Sequence, residues 1–348
     1  MNVRTGLSYG DVLLVPQRSP VDSRSHVDLS TKLTPSLDLE IPVLSAPMDT
    51  VTEVDTAITL STMGGLGTIH RFMGVDEQVE QVGAVADAGE RVGAAVGIDE
   101  DFLDRTGATL AAGADCVVVD VAHGHMEAAL AAVERIDAEF PDAPLVAGNV
   151  VTPQGVRDLH AAGADCVKVG VGPGSHCTTR EVAGAGVPQL TAVDDCAAAA
   201  RDLGIHVIAD GGIRTSGDAV KALMAGADTV MLGGFFAGTD EAPGDLVEVD
   251  GERYKRSRGM ASTAANEART DKALTPDADE GVDGLSPYRG PLEVALSEFL
   301  AGVRSGLSYC GGHTIPEARA KAEFIRVAPG AKEREGAHSV LEAHARDE

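Results

Sequence analysis

Ala161-Ala162-Gly163-Ala164-Asp165-Cys166-Val167-Lys168-Val169-Gly170 is the stretch on which the fold turns. It reads as the end of a helix, a glycine stop, a short loop and a mostly apolar strand. The same wording stands at Ala111-Ala112-Gly113-Ala114-Asp115-Cys116-Val117-Val118-Val119-Asp120 and at Met224-Ala225-Gly226-Ala227-Asp228-Thr229-Val230-Met231-Leu232-Gly233. Strands of this kind, alternating with helices, mark a parallel sheet buried on both faces.

Outward from the repeat, candidate strands fall at Val43–Ala46, Leu66–His70, Val92–Val96, Cys116–Val121, Leu145–Gly148, Val167–Gly170, His206–Ala209 and Thr229–Leu232. Amphipathic stretches such as Glu127–Phe140 and Asp194–Leu203 lie between them. Eight β/α units predict an α/β fold of the closed (β/α)8, or TIM barrel, kind. The competing reading is a doubly wound sheet, but Gly170-Val171-Gly172-Pro173-Gly174 lacks the glycine spacing of a dinucleotide turn. After the eighth unit, residues from about 239 to 288 are rich in Gly, Asp, Glu and Pro, with weak periodicity. That segment reads as a mobile flap on a single barrel domain spanning 1–348.

The composition narrows the class. The chain has 348 residues, 44% of them apolar but only 3% aromatic, so its core is built from Val, Leu, Ile and Ala. Its cysteines are odd in number, at 5, and lack paired close spacing, which predicts reduced thiols and a cytoplasmic setting. No signal peptide and no apolar run long enough for a bilayer are visible. The net charge of −26, from 54 acidic and 28 basic residues, speaks against nucleic acid and anionic membranes as partners.

The chemistry concentrates in Val169-Gly170-Val171-Gly172-Pro173-Gly174-Ser175-His176-Cys177-Thr178-Thr179-Arg180. A glycine-rich turn follows a buried strand and sets one thiol beside hydroxyls and an arginine. Cys177 is then a candidate nucleophile, if something removes its proton, or else an inert thiol behind a phosphate-binding turn. Other unusual residues fall at the C-terminal ends of the candidate strands, where barrel chemistry sits. Glycines at Gly172, Gly212, Gly233 and Gly234 suit a phosphate held by backbone amides. Asp210 and Asn149 also suit plain turns, Thr179 a helix cap, and His176 an exposed loop. His123 and His125 form a possible metal pair without an evident third ligand.

These residues resemble the inosine-monophosphate dehydrogenase and guanosine-monophosphate reductase superfamily. The likeness runs from Leu7-Ser8-Tyr9-Gly10-Asp11-Val12-Leu13-Leu14-Val15-Pro16 to Lys321-Ala322-Glu323-Phe324-Ile325-Arg326, and the Gly172-to-Arg180 motif is its most specific part. It implies a barrel, a purine nucleotide substrate (GMP or IMP), a nicotinamide cofactor (NADPH or NAD), K⁺ and a homotetramer. By that resemblance Cys177 bonds to purine C2 and Thr179 contacts the reacting centre. Asp210 takes the ribose hydroxyls, and Ser175, Gly212, Gly233 and Gly234 hold the phosphate. Ser45, Met48, Arg258, Gly259 and Met260 line the base pocket. Asp120, Ala122, His123 and Asn149 meet the nicotinamide, and carbonyls of Gly172, Gly174 and Cys177 bind K⁺.

The direction of the reaction is contested within the sequence. Dehydrogenases of this family use an Arg-Tyr pair in the flap to activate water, and none occurs between Met260 and Gly290. No insertion has the size of the tandem CBS module common among them. Reductases pair a glutamate with the threonine to expel ammonia; Thr263 stands at the expected place, and Glu267 one turn later is the candidate substitute. Tyr254-Lys255-Arg256-Ser257-Arg258-Gly259-Met260 and Glu280-Gly281-Val282-Asp283-Gly284 lean towards the dehydrogenase. The expectation is a GMP reductase lacking the CBS module, in which NADPH delivers hydride to C2 and ammonia leaves, giving IMP. The alternatives are an IMP dehydrogenase making XMP with NAD and a non-catalytic purine-nucleotide-binding protein.

The acidic, lysine-poor surface also suits a protein working in concentrated KCl. Dialysis into low salt should cost the chain its folded state, read by circular dichroism; indifference to salt would contradict this.

Overall fold

The computed structural model describes residues 3–271 and 279–334. Parallel strands β1 (Val43–Ser45), β2 (Leu66–Ile69), β3 (Val92–Val96), β4 (Cys116–Asp120), β5 (Leu145–Val150), β6 (Cys166–Val169), β7 (His206–Asp210) and β8 (Thr229–Leu232) pair in chain order, and β8 returns to β1. The barrel is closed, as expected, and the strand ends agree with the sequence reading to within a residue or two. Around it stand α1 (Val54–Thr62), α2 (Val75–Asp87), α3 (Phe102–Ala111), α4 (Glu127–Glu139), α5 (Pro153–Ala161), α6 (Gln189–Leu203), α7 (Ser216–Met224) and α8 (Leu292–Cys310). No domain is inserted between α2 and β3. Among the described residues no helix is long and apolar enough to cross a membrane.

Strand alternation builds two cores. Val117 and Val119 of β4 point out to the helix layer, together with Val43, Val167 and Val207. Cys116 and Val118 point inward, together with Leu44, Leu66, Val146, Ile208 and Met231. Leu33, Leu37 and Leu39 of the hairpin Thr31–Thr34 and Leu37–Leu39 join that inner cluster.

The Gly-Ala-Asp repeat has a physical cause. Gly113, Gly163 and Gly226 follow the helix ends with φ of +106°, +110° and +120°. A side chain there would meet Ala86, Asp137 or Ala197 at under 3 Å. The aspartate two residues on then ties down the neighbouring strand. Asp115 accepts the Val92 N–H at 2.8 Å, Asp165 that of Leu145 at 2.9 Å and Asp228 that of Val207 at 3.0 Å. Each aspartate's own N–H also donates to the carbonyl of that same residue.

The segment after β8 differs from the expectation. Its described part carries a three-stranded antiparallel sheet of β9 (Leu246–Val249), β10 (Glu252–Arg258) and β11 (Asp283–Pro287), with a short helix at Thr263–Ala268. Its strands are mostly exposed and short, so they show little apolar periodicity. Part of the expected 239–288 flap, residues 272–278, lies outside the described residues.

Replacing Asp165 with Ala should lower unfolding stability by about 1.5–3 kcal/mol, the range for a hydrogen bond to a charged group. Asp165→Asn, which keeps an acceptor oxygen, should recover much of it. Urea unfolding in KCl reads both; equal stability of Asp165→Ala and the parent would contradict the anchoring role.

Candidate active site

The strand ends β6 to β8 carry the glycine turns, and the loops after them stack on one another. At Gly170 a side chain would fall 2.2 Å from the Asp210 carbonyl oxygen, so glycine is what lets the β6 end lie against β7. A Cβ on Gly212 would meet Pro173 at 3.3 Å, and one on Gly234 would meet the Ser175 hydroxyl at 2.9 Å. The loop after β6 thus lies against Gly212 through Pro173 and against Gly234 through Ser175, while a Cβ on Gly172 would meet Arg180 at 2.6 Å. Gly233 faces Met48, whose sulfur would lie 3.2 Å from a Cβ there. Gly259 and Met260 lie at the end of β10, where a Cβ on Gly259 would meet the His176 carbonyl at 2.7 Å.

Cys177 stands in this loop as the one partly exposed thiol; Cys116, Cys166, Cys196 and Cys310 are buried. Burial pushes Cys116 and Cys196 up to about 12 and Cys310 to about 11. Such thiols are inert. The Cys177 thiol donates to Thr179 Oγ1 at 3.2 Å, and Thr179 Oγ1 donates to Glu280 Oε2 at 2.8 Å. A thiol, a hydroxyl and a carboxylate therefore form a directed chain along which a proton can move from sulfur to carboxylate.

Glu280 takes the place expected of Glu267. Glu267 is exposed on the helix Thr263–Ala268, and the carboxylate on Thr179 comes from the segment before β11. Main-chain pairing puts it there. Thr178 N donates to Glu280 O at 2.9 Å, Val282 N donates to His176 O at 2.9 Å, and Cys177 bridges Gly281 in antiparallel register. From the other side Glu280 N donates to Ala261 O at 3.3 Å. Sequence reasoning sought the acid one helical turn after Thr263 and overlooked strand pairing across the flap.

His176 is half-buried, not an exposed loop residue. Its Nδ1 lies 3.1 Å from Ser175 Oγ and its Nε2 2.8 Å from Ser257 Oγ on β10. Burial draws its imidazole below the ordinary value, against a smaller opposing pull from Asp283. Arg180 braces the loop from behind by donating to the carbonyls of Val171 and Val187 at 3.1 and 2.7 Å.

The expected base-pocket residues divide. Met48 and Met260 are partly exposed. Ser45 is fully buried and accepts the Thr52 hydroxyl at 2.8 Å, so it offers no surface at the mouth. Arg258 grips Asp49 through Nε and Nη2, at 2.9 and 2.6 Å to Oδ2, which ties β10 to the loop after β1. Its Nη1 donates to the Ala264 carbonyl at 3.4 Å, so all three nitrogens have partners within the protein.

Of the residues expected to meet a cofactor, Ala122 and His123 are exposed beyond the β4 end. His125 Nε2 lies 2.7 Å from Asp158 Oδ2. Asn149 donates to Gly170 O at 2.7 Å and to Asp210 Oδ2 at 2.9 Å, so both its N–H groups are used within the protein. Its Oδ1 accepts from Lys168, a residue the sequence reading passed over as part of a strand. Lys168 also ion-pairs with Asp120 Oδ1 at 2.8 Å and Asp210 Oδ2 at 2.5 Å. The signal was present: a charged residue in an apolar strand needs buried partners.

Among the described residues no group of His, Cys, Asp and Glu side chains is arranged to hold a metal ion. A K⁺ site would be made of carbonyls instead. The Gly174 carbonyl accepts only the Cys177 N–H at 3.2 Å, and those of Gly172 and Cys177 accept no main-chain N–H among the described residues. Oxygens left open on a tight turn fit part of a shell for a hard cation.

Comparison with known proteins agrees with this geometry. The family model described as IMP dehydrogenase / GMP reductase domain matches residues 6–338. A protein of Nitrosopumilus maritimus (strain SCM1) named inosine-5'-monophosphate dehydrogenase is 37% identical, over 98% of this chain and 100% of that protein. One of Aquifex aeolicus (strain VF5) with the same name is 36% identical, over 93% and 94%. A GMP reductase of Leishmania donovani is 33% identical, over 96% and 97%. These alignments run over 474, 459 and 477 positions, more than the chain's 348 residues, so the relatives carry inserted segments within the aligned span.

Under native conditions a thiol reagent such as 5,5'-dithiobis(2-nitrobenzoate) should modify Cys177 alone. Cys177→Ser should abolish the reaction, and unfolding should release the other thiols. Rapid native labelling that survives in Cys177→Ser would contradict the burial pattern.

Proposed function

From the premise that the chain belongs to the IMP dehydrogenase / GMP reductase family, oxidoreductases acting on purine nucleotides, we propose that it is a GMP reductase. The observation that carries this is the Cys177–Thr179–Glu280 chain. Attack of the thiol sulfur on purine C2 sends its proton through Thr179 to Glu280. The same proton then returns to the exocyclic amine, which leaves C2 as ammonia. The number of protons balances without water. When bound, the nicotinamide cofactor, with NADPH as the form proposed, would supply the hydride that replaces sulfur at C2, and the Cys177 sulfur would leave as thiolate from the IMP formed.

The remaining assignments follow the family resemblance. Asp210 Oδ2 is held by Asn149 and Lys168, while its Oδ1 has no partner among the described residues and is left for the ribose hydroxyls. Ser175, Gly212, Gly233 and Gly234 take the phosphate, and Met48, Gly259 and Met260 the base. Asp120, Ala122 and His123 face the nicotinamide, with Asn149 acting beneath them. Gly172, Gly174 and Cys177 contribute carbonyls to K⁺, and the working assembly is a homotetramer in the cytoplasm.

IMP dehydrogenase is the second reading, favoured by the names of the Nitrosopumilus and Aquifex relatives. It requires a group that activates water at C2. The flap sequence has no Arg-Tyr pair, and the described acid at the thiol is already bonded to Thr179.

General acid–base assistance is typically worth ~10²–10⁴-fold, so Glu280→Gln should slow ammonia release from GMP by about that factor. Glu267→Gln should leave it near the parent rate. GMP binding, measured by calorimetry, should change little in either variant. Equal small losses in the two variants would remove Glu280 from the chemistry. Cys177→Ala should abolish turnover while GMP still binds; substantial residual turnover would exclude a covalent intermediate on this sulfur.

A further inference from the structure

Lys168 lies in the middle of the apolar strand Cys166-Val167-Lys168-Val169 and is only 2% exposed. Burying an ammonium is costly unless its donors are all used. Here they are. Lys168 Nζ reaches Asn149 Oδ1 from β5, Asp120 Oδ1 from β4 at 2.8 Å and Asp210 Oδ2 from β7 at 2.5 Å. An ammonium has three donors, and three acceptors surround it. Gly148 on β5 makes the room: a Cβ there would fall 2.6 Å from Lys168 Cβ and 2.5 Å from its carbonyl oxygen.

The pattern on the carboxylates is the same on both sides. Asp210 has Oδ2 held and Oδ1 without a partner among the described residues; Asp120 has Oδ1 held and Oδ2 likewise open. Both side chains are partly exposed, at 19% and 23%, while the ammonium below is sealed. Without the ammonium, the carboxylates would share a buried floor with nothing to offset their repulsion. They would turn apart or take up a proton, and either change spoils an acceptor.

We propose that Lys168 is a positioning residue that turns one oxygen of Asp210 towards the nucleotide ribose and one oxygen of Asp120 towards the cofactor, joining the two half-sites in a single charged network. The proposal rests on the site reading given above for those two aspartates. Lys168 is not itself an acid or base in the reaction. Burial pulls its ammonium down, but Asp120 and Asp210 more than offset this and hold it above its ordinary value, and it has no donor to spare. Its effect is exerted through its partners.

Double-mutant cycles on the full chain in KCl test this, with GMP binding read by calorimetry and NADPH binding by its fluorescence. Lys168→Met should weaken both ligands on the order of tenfold or more, equivalent to one lost strong contact for each. In an Asp210→Asn background the same change should alter GMP binding by no more than about twofold, the margin within which independent effects simply add. In an Asp120→Asn background it should leave NADPH binding within that margin, yet still weaken GMP binding, because the Lys168 contact to Asp210 Oδ2 is lost there too. The Lys168→Met/Asp120→Asn variant keeps the network's net charge, so this comparison stands even if Lys168→Met alone fails to fold. A GMP loss that persists in full in the Asp210→Asn background, an NADPH loss that persists in full in the Asp120→Asn background, or binding unchanged by Lys168→Met would overturn the proposal. If Asp210→Asn and Asp120→Asn themselves leave GMP and NADPH binding intact, the reading of the two aspartates fails, and the proposal with it. Circular dichroism melts on every variant separate a loss of fold from a loss of positioning.

Discussion

The short antiparallel pairing between the loop after β6 and the segment before β11 is the contact on which the site depends. Main-chain bonds at Thr178–Glu280 and His176–Val282 set the register, with Cys177 opposite Gly281. A slip of one residue would turn the Glu280 side chain to the other face, because side chains alternate along a strand. The segment before β11 therefore sets which side chain meets Thr179. The flap's own attachment is also electrostatic: Arg258 at the end of β10 grips Asp49 beside β1, so the flap is tied to the opposite side of the mouth.

The barrel divides labour by height. Below, alternate strand residues fill the interior with Leu, Val, Cys, Ile and Met. At the mouth the interior becomes polar, and the change occurs at Lys168. Above that level every strand end from β4 to β7 contributes a side chain or carbonyl to one connected network. The Cys177–Thr179–Glu280 chain sits apart from it, on the loop after β6. The two clusters thus rest on different supports, the first on packed strands and the second on a loop braced by Arg180 and by the segment before β11.

Much of the fold was legible because its signals are local. The helix stop, the positive-φ glycine and the anchoring aspartate lie within a few residues, and their recurrence marks parallel strands. Cys177 was legible for the same reason, from its glycine turn and its neighbours. Glu280 was not, because its proximity to Thr179 arises from strand pairing between segments 101 residues apart. The flap's three-stranded sheet escaped notice because exposed strands have little apolar periodicity. Ser45 and Asn149 fell at the right strand ends, but only the packing shows that one is sealed behind Thr52 and the other spends its amide on Gly170 and Asp210. Lys168 lay in plain view within the repeat; its importance follows only from the acceptors that neighbouring strands bring to it.

The central claim is that the proton leaving Cys177 is the proton that carries ammonia off C2. The most direct measurement is a paired assay of the wild-type chain in high KCl, following the reduced cofactor and ammonium together. With GMP and NADPH, cofactor oxidation and ammonium release should proceed in equal amounts, with IMP as product, while IMP and NAD⁺ give little reduction. Rapid formation of reduced cofactor from IMP and NAD⁺, with little ammonium from GMP, would contradict the account and make this chain a dehydrogenase.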